Sequence, residues 1–310
     1  MKKNLLFLTL AVIALTSCKR TYQKAPDGML YIKYTDNDGP KIKEGDFAGV
    51  NVIIKTDGDS LIDNTFEKGL PRLMIITKPI FKGDVIDALS LLTEGDSLSV
   101  KMPVDSVFKK AQKPTNFKGN FIIFDLKVEK VIHKGSMTDQ QLRDKAITYL
   151  KNLIAVAKGK EPQKIKKYIA DKKLNVTKTD SGLYYTINKH GQGPLAVAGD
   201  TAVFTYTSNL FNGKVFETSI REEAVKAKIF DQQQNYKPIG VAIGQHRIVP
   251  GWEQGLQLLN KGAVATFIIP SDLGYGDEGY GVVGACTPYV SKIELINIIP
   301  RSKAAPAVKK

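Results

Sequence analysis

The sequence predicts an α+β protein with two related domains, each an antiparallel sheet wrapped on a short helix, joined by a helical linker. Three patterns support the prediction: glycine and leucine motifs that occur twice, strand-like runs within each copy, and a lysine-rich helical segment between the copies. One helix packed on an antiparallel sheet is an α+β arrangement. The length of 310 residues agrees with two domains.

The chain begins with the pattern of an exported lipoprotein. Lys2 and Lys3 precede an apolar run over residues 5–15, which is shorter than the ~20 residues that a membrane-spanning helix needs. Residues 15–18 (LTSC) resemble the bacterial lipobox. This predicts a signal peptide at 1–17, lipidation of Cys18 and a tether over 18–27. The alternative is an ordinary signal peptide with an incidental cysteine.

The repeat has two registers. At an offset of 154, from 28 to 182, three motifs recur: Gly28-Met29-Leu30-Tyr31, Gly39-Pro40 and Gly45-Asp46 as Gly182-Leu183-Tyr184-Tyr185, Gly193-Pro194 and Gly199-Asp200. At an offset of 167, from 89 to 256, a second set recurs: Leu89, Leu91, Leu92, Gly95, Pro103 and Asp105 as Leu256, Leu258, Leu259, Gly262, Pro270 and Asp272. The 13 extra residues of the second copy fall around 220–235. A period this long indicates a domain duplication.

Residues 135–179, between the copies, are predicted to form a helical connector. Thr138 and Gln141 have the spacing of a capping box. An apolar stripe follows at helical spacing: Leu142, Ile147, Leu150, Leu153, Ile154 and Val156. Gly159 is predicted to end this helix and Pro162 to begin a second one. The stripe fits a domain and a second subunit equally, which leaves a homodimer open.

The second copy is mainly strand. Residues 202–207 alternate large and small side chains, 263–269 form a β-rich run, and 290–298 close the domain. A helix is predicted over 251–260, because its apolar residues share one face. The domains are therefore placed at 28–134 and 180–300, with a basic tail at 301–310.

Composition excludes several classes of protein. The formal net charge of +14 comes mainly from lysines without arginine–aromatic interleaving, so no nucleic-acid partner is predicted. Lipidation would use Cys18 and leave Cys286 unpaired, so no disulfide framework is expected. His133, His190 and His246 are isolated from one another in the sequence, so no metal or other cofactor is expected.

Four ordered blocks of the second copy form a recognisable set: Tyr206-Thr207, 212–219 (NGKVFETS), 243–253 (IGQHRIVPGWE) and 269–276 (IPSDLGYG). Together they resemble the FKBP family of peptidyl-prolyl isomerases over about 120 residues. A longer segment with Phe230-Asp231 resembles the insertion of FKBP-type lipoproteins of the Bacteroidetes.

The resemblance implies a pocket for a proline ring. Its aromatic and aliphatic walls would be Tyr206, Phe216, Trp252, Tyr275, Ile248, Val249 and Val283. Glu217 stands where the family usually has Asp. Such a pocket needs no nucleophile or cofactor, because rotation about an X–Pro bond breaks only amide resonance, with a barrier of ~18–20 kcal/mol. An apolar cage favours the twisted, less polar amide, while the Tyr275 hydroxyl and an N–H near Val249 would hold the flanking carbonyls.

Two departures from the family pattern lie near the last strand. Ser291 occupies a position that is usually Phe, and Gly284-Ala285 replace the usual Pro-Pro. Loss of the aromatic ring is expected to widen the pocket and weaken binding.

The first copy departs further. The two offsets align Tyr206, Phe216, Trp252 and Tyr275 with Val52, Ile62, Val85 and Phe108. The first domain is therefore expected to keep the fold but to isomerise poorly or not at all.

The sequence as a whole predicts a lipid-anchored prolyl isomerase whose partners are proline-containing polypeptides and, through Cys18, a membrane. Its predicted place is the outer membrane facing the periplasm, with surface exposure as the alternative. The competing class is a non-catalytic or weakly catalytic chaperone or binding lipoprotein that uses both domains as platforms. Ser291 and the decayed first copy favour the competing class, whereas the aromatic set from Tyr206 to Tyr275 favours the enzyme.

Overall fold

A computed structural model describes residues 21–25, 28–108, 113, 117 and 119–301. The predicted signal peptide, the lipidation site Cys18 and most of the basic tail lie outside these residues. The first domain comprises β1 (Gln23–Lys24), β2 (Leu30–Thr35), β3 (Phe47–Thr56), β4 (Leu61–Asn64), α1 (Thr65–Lys68), β5 (Arg72–Ile75), α2 (Val85–Ser90), β6 (Ser97–Pro103), α3 (Val104–Val107) and β7 (Phe121–Ile132).

The helix α4 (Asp139–Asp171) leads into the second domain. That domain comprises β8 (Thr177–Lys178), β9 (Tyr184–Lys189), β10 (Gln192–Leu195), β11 (Thr201–Leu210), β12 (Val215–Thr218), α5 (Arg221–Lys226), β13 (Ile239–Ala242), α6 (Pro250–Leu256), β14 (Asn260–Lys261), β15 (Val264–Ile269), a 3-10 helix (Ser271–Leu273) and β16 (Tyr289–Ile299). The extra residues of the second copy lie in the longer segment between β12 and β13, which contains α5, whereas the shorter segment between β4 and β5 contains α1.

Both sheets have the same topology, which confirms the duplicated α+β fold. The first has the order β1-β2-β6-β7-β3-β4 with β5 on β3, and the second has β8-β9-β15-β16-β11-β12 with β13 on β11. All these pairings are antiparallel. Cross-strand partners keep both sequence offsets: Ile53 with Asn64 matches Thr207 with Thr218, and Ser97 with Lys127 matches Val264 with Glu294. The motifs at the two offsets therefore occupy equivalent places in the two sheets.

The core of the second domain lies between its sheet and α6. Trp252 and Leu256 on the helix pack in one buried cluster with Phe204, Phe267 and Leu295 of the sheet. Gly255 permits this approach, because a Cβ at this position would lie 2.7 Å from the Phe267 ring. The helix ends earlier than predicted, at Leu256, since the chain turns there and enters β14, which pairs with β10.

The connector begins as predicted but is one helix of 33 residues, about 50 Å long. Thr138 and Gln141 form the expected capping box. The prediction that Gly159 ends the helix and Pro162 starts another is wrong, because both residues lie inside α4. Proline lacks the N–H for one helix hydrogen bond. The packing of Glu161 and Ile165, which are buried on either side of Pro162, holds the helix there.

The connector packs on both domains. Near its beginning, the Tyr149 ring lies edge-on to Phe47, 6.1 Å between centroids. Near its end, Ile165 packs with buried residues of β15 and β16, and Tyr168 stacks on Phe211 at 4.2 Å. Ile147 of the predicted stripe is exposed. No helix in the described part of the chain is both long and apolar enough to cross a membrane.

Candidate functional site

A surface pocket of about 400 Å³ lies in the second domain, where α6 meets β12 and two loops. It contains five of the side chains predicted from the sequence, together with two that were not predicted. The lining residues are Glu217, His246, Arg247, Ile248, Val249, Trp252 and Tyr275. The structure thus brings together residues that are up to 58 positions apart in the sequence.

Trp252 is fixed by an aromatic cluster and by one hydrogen bond. Its ring centroid lies 4.4 Å from that of Tyr206 and 5.9 Å from that of Phe204. Its Nε1–H donates to Ser291 Oγ at 2.9 Å, and Ser291 Oγ lies 2.7 Å from Ser208 Oγ. Ser291 is fully buried and does not line the pocket. The serine therefore serves to orient the indole, a role that the sequence did not indicate.

Glu217 joins two predicted pocket residues. The Tyr206 hydroxyl donates to Glu217 Oε1 at 2.6 Å, and the Tyr275 hydroxyl donates to Oε2 at 3.3 Å. Burial, the Glu217 hydrogen bond and its charge raise the pKa of Tyr206 well above its ordinary value. Burial and the Glu217 carboxylate raise the pKa of Tyr275 in the same way. Both phenols therefore stay protonated and can donate hydrogen bonds at any physiological pH.

The loop that supplies Ile248 and Val249 is anchored by Glu253. Its nearly buried carboxylate accepts the N–H groups of Gly244 at 2.6 Å and His246 at 3.2 Å, and it contacts His246 Nδ1 at 2.9 Å. Burial alone would raise the pKa of Glu253, but these backbone N–H groups hold it below its ordinary value. Among the described residues, no oxygen accepts the N–H of Val249. This N–H is a donor without a partner at the edge of the pocket.

Three tyrosines form a stack, and one of them, Tyr275, lines the pocket. Tyr275 lies between Tyr289 and Tyr280, with centroid distances of 5.4 and 5.5 Å, and Phe216 lies edge-on to Tyr289 at 5.4 Å. Tyr289 is fully buried, and within the described chain its hydroxyl has no hydrogen-bond partner. Val283 is also buried, in the core cluster against which Phe216 and Tyr275 pack. Sequence reasoning missed Tyr280 and Tyr289, because no family position pointed to them.

Residues 193–296 match the family model of FKBP-type peptidyl-prolyl cis-trans isomerases. The second domain belongs to the FKBP family. A probable FKBP-type isomerase of Haemophilus influenzae is 32% identical over 130 residues, 42% of this chain and 48% of that protein. The outer membrane protein MIP of Legionella longbeachae is 28% identical over 232 residues, 68% of this chain and 89% of that protein. The crystal structure of FkpA from Escherichia coli matches with a TM-score of 0.41 at 22% identity, over 53% of this chain and 69% of that chain. The chain spans about half the length of several curated relatives that it matches.

The first domain has a much smaller cavity on the corresponding face. Its volume is about 60 Å³, against about 400 Å³ in the FKBP domain. It is lined by Val50, Val52, Ile54, Arg72, Met74, Val85, Leu89, Phe124 and Leu126. Val52 and Val85 stand where the FKBP domain has Tyr206 and Trp252. The cavity of the first domain therefore has neither a tyrosine hydroxyl as a hydrogen-bond donor nor a tryptophan ring among the described residues of its lining.

In the part of the chain that the structure describes, no group of three or more His, Cys, Asp or Glu side chains is arranged to hold a metal ion. Cys286 is buried and unpaired. Burial and the nearby Asp277 carboxylate raise the pKa of the Cys286 thiol to about 11, so it stays protonated at neutral pH. A raised pKa is the opposite of the activation that a nucleophilic cysteine needs.

Proposed function

We propose that this chain is a peptidyl-prolyl cis-trans isomerase that works through its C-terminal FKBP domain. The observation that carries the proposal is the arrangement around one pocket of Trp252, Glu217 and the N–H of Val249, for which the described residues offer no acceptor. The site residues are Tyr206, Phe216, Glu217, Ile248, Val249, Trp252, Tyr275 and Val283.

The geometry suits a reaction that twists an amide. A proline ring placed over the Trp252 indole would leave its amide beside the apolar side chains of Ile248 and Val249, and the twisted amide is the less polar state. The two hydrogen bonds to Glu217 differ, at 2.6 Å from Tyr206 and 3.3 Å from Tyr275. Tyr275 is held more weakly and can turn to a substrate carbonyl, while Tyr206 keeps Glu217 in place. The Val249 N–H would hold a second carbonyl, and each 1.36 kcal/mol gained only in the twisted state raises the rate about tenfold.

The proposed substrates are proline-containing segments of exported proteins. We also propose a lipid anchor on Cys18 and a place in the cell envelope, at the outer membrane facing the periplasm. The lipobox-like residues 15–18 support the anchor, and the similarity to the outer membrane protein MIP of Legionella longbeachae supports the location. The proposed order of segments is signal peptide 1–17, tether 18–27, first domain 28–134, connector 135–179, FKBP domain 180–300 and tail 301–310.

A protease-coupled isomerisation assay with a short proline peptide tests the activity. The full mature chain should accelerate cis-to-trans conversion, and Tyr275→Phe should lower kcat/KM by about tenfold, the loss expected for one hydrogen bond made in the transition state. Tyr280→Phe is the matched control, because it keeps the ring that stacks on Tyr275 and removes only the hydroxyl of a side chain that is 73% exposed. An inactive wild-type chain would exclude the enzymatic proposal.

A non-catalytic chaperone is the second candidate, and the surface of the first domain favours it. Leu61, Ile62 and Phe66 are each about half exposed along β4 and α1, which gives this domain apolar surface for unfolded chains. A chaperone of this kind would suppress aggregation of a proline-free client, and Trp252→Leu would not change that effect. Refolding of such a client, followed by light scattering, separates the two candidates.

A further inference from the structure

The loop that forms one wall of the pocket lies against parts of the chain outside the FKBP domain. It runs from the 3-10 helix at Ser271–Leu273 through Tyr275 to Val283. We propose that the connector helix α4 positions Tyr275 for catalysis, with Glu161 as the principal positioning residue and Lys158 as a second one. The inference rests on the proposed isomerase function, because Tyr275 matters only if the pocket works.

Glu161 makes a two-point contact with Ser271. Its Oε1 accepts the Ser271 backbone N–H at 2.6 Å, and its Oε2 accepts the Ser271 hydroxyl at 2.7 Å. Both residues are buried, Glu161 at 6% exposure and Ser271 at 1%. A buried carboxylate is stable only when its oxygens are hydrogen-bonded. The contact therefore fixes Ser271 in one position relative to the connector.

Ser271 in turn fixes the backbone on both sides of Tyr275. Its carbonyl oxygen accepts the N–H of Gly274 at 2.9 Å and the N–H of Gly276 at 2.8 Å. Glycines on either side of Tyr275 give the segment little stiffness of its own. The position of the Tyr275 ring thus depends on Ser271, and through it on Glu161.

Lys158, one helical turn before Glu161, contacts the same segment at two more points. Its Nζ lies 2.8 Å from Asp272 Oδ1 and 2.9 Å from Asp277 Oδ1, so it bridges the residues on either side of Tyr275. These side chains are exposed, and each ion pair alone contributes little. Together with the Glu161–Ser271 contact, these ion pairs connect α4 to the chain on both sides of Tyr275.

The far end of the loop packs on the first domain. Gly284 lies so close to the last residue of α1 that a Cβ would be 1.7 Å from the Lys68 carbonyl oxygen. The loop that carries Tyr275 and Val283 is therefore held between the connector and the first domain. The connector and the first domain thus both contact the loop that carries Tyr275, and a change in either can move this pocket residue.

Glu161→Gln in the full chain tests the proposal, because the amide keeps the shape but not the charge or the second acceptor oxygen. We expect kcat for a proline peptide to fall by roughly fivefold or more with KM changed less than twofold, since a small displacement of a catalytic group lowers the rate. In a Tyr275→Phe background the same substitution should have no further effect. Asp171→Asn is the control, because Asp171 is on the same helix and, within the described chain, its carboxylate pairs with Lys167 alone, four residues away. Ser271→Ala, which keeps the backbone contact, should give a smaller loss and replaces Glu161→Gln if that variant does not fold.

Amide hydrogen exchange at Gly276 provides a readout independent of activity. The Gly276 N–H should be protected in the wild type and lose protection in Glu161→Gln. If the wild type is inactive, the proposed function fails, and the exchange result alone decides whether Glu161 holds the loop. An equal fall in kcat in the presence and absence of the Tyr275 hydroxyl would overturn the positioning role. The positioning role would also be overturned if Glu161→Gln changed neither kcat nor the hydrogen-exchange rate of the Gly276 N–H.

Discussion

Ser291→Ala tests the role of the serine that replaces an expected aromatic residue. The substitution removes the acceptor of the Trp252 Nε1–H, which lies 2.9 Å from Ser291 Oγ, and the indole is 5% exposed. A buried donor left without a partner costs about 1–3 kcal/mol. We therefore expect the free energy of unfolding of the FKBP domain to fall by about 2 kcal/mol.

Urea unfolding followed by tryptophan fluorescence measures this change in the right domain. Trp252 is the single tryptophan of the chain, so the signal reports the FKBP domain alone. With a urea m-value of about 2 kcal/mol per M, a loss of about 2 kcal/mol moves the midpoint down by about 1 M. The emission spectrum of the folded state should also shift, because the indole loses its hydrogen bond.

Ser208→Ala is the matched control for this prediction. Ser208 is as buried as Ser291 and lies 2.7 Å from it, but its loss leaves Ser291 Oγ free to accept the indole N–H. Removing this one hydrogen bond should cost about 1 kcal/mol. If the two variants lower the midpoint equally and neither changes the emission spectrum, the hydrogen bond to Trp252 does not hold the indole.

Three further results are expected. Glu217→Gln removes the charged acceptor of the Tyr206 and Tyr275 hydroxyls and should lower kcat/KM by about tenfold, because charge-assisted hydrogen bonds contribute about 1.5–3 kcal/mol. An unchanged kcat/KM would show that Tyr206 and Tyr275 need no common acceptor. Since the pKa of the Tyr206 and Tyr275 phenols is raised above the ordinary 10.0, kcat/KM measured by exchange spectroscopy should be flat from about pH 7 to 9.5. The contribution of the two phenols to stability should decrease only as the pH rises beyond about 10. A decline in kcat/KM between pH 8 and 9.5 would contradict the conclusion that both phenols stay protonated. Gly159→Ala should stabilise α4 by about 0.5–1 kcal/mol in thermal unfolding followed by circular dichroism, because no described atom beyond the adjacent helix backbone lies within 4 Å of the added Cβ. Destabilisation would mean that the helix is interrupted there.

The duplication was predictable because it depends on local features with fixed spacing. The glycines at 45, 95, 199 and 262 all have positive φ, so each marks a turn that the chain must make at the same place in both copies. Between these turns the strands alternate or run apolar, and their register follows from the turns. Both sequence offsets consequently reappear in the strand pairing.

The continuity of α4 was not predictable, because long-range contacts outweigh local propensity there. Gly159 and Pro162 normally end or break a helix. The structure continues through them because Glu161 binds Ser271, 110 residues away, and Ile165 packs on the second sheet. No pattern within the connector reveals those partners.

The residues of the pocket were predictable from the sequence, but the hydrogen bonds among them were not. The resemblance assigned Trp252 and Tyr275 their places in the pocket, but the acceptor for the indole is Ser291, a residue that the same resemblance marked as a defect. Glu217, expected to differ from the usual Asp only in reach, bridges two phenols. These contacts join residues between 11 and 58 positions apart, and only the folded sheet brings them together.

Two-dimensional exchange NMR on a proline tetrapeptide, with the full chain as catalyst, tests the central claim most directly. The wild type should produce exchange peaks between the cis and trans forms, and Trp252→Leu should reduce the exchange rate by about tenfold or more while circular dichroism shows the fold retained. Equal cis–trans exchange rates with both proteins would place catalysis outside this pocket. The absence of exchange peaks with the wild type would contradict the claim that the protein is a prolyl isomerase.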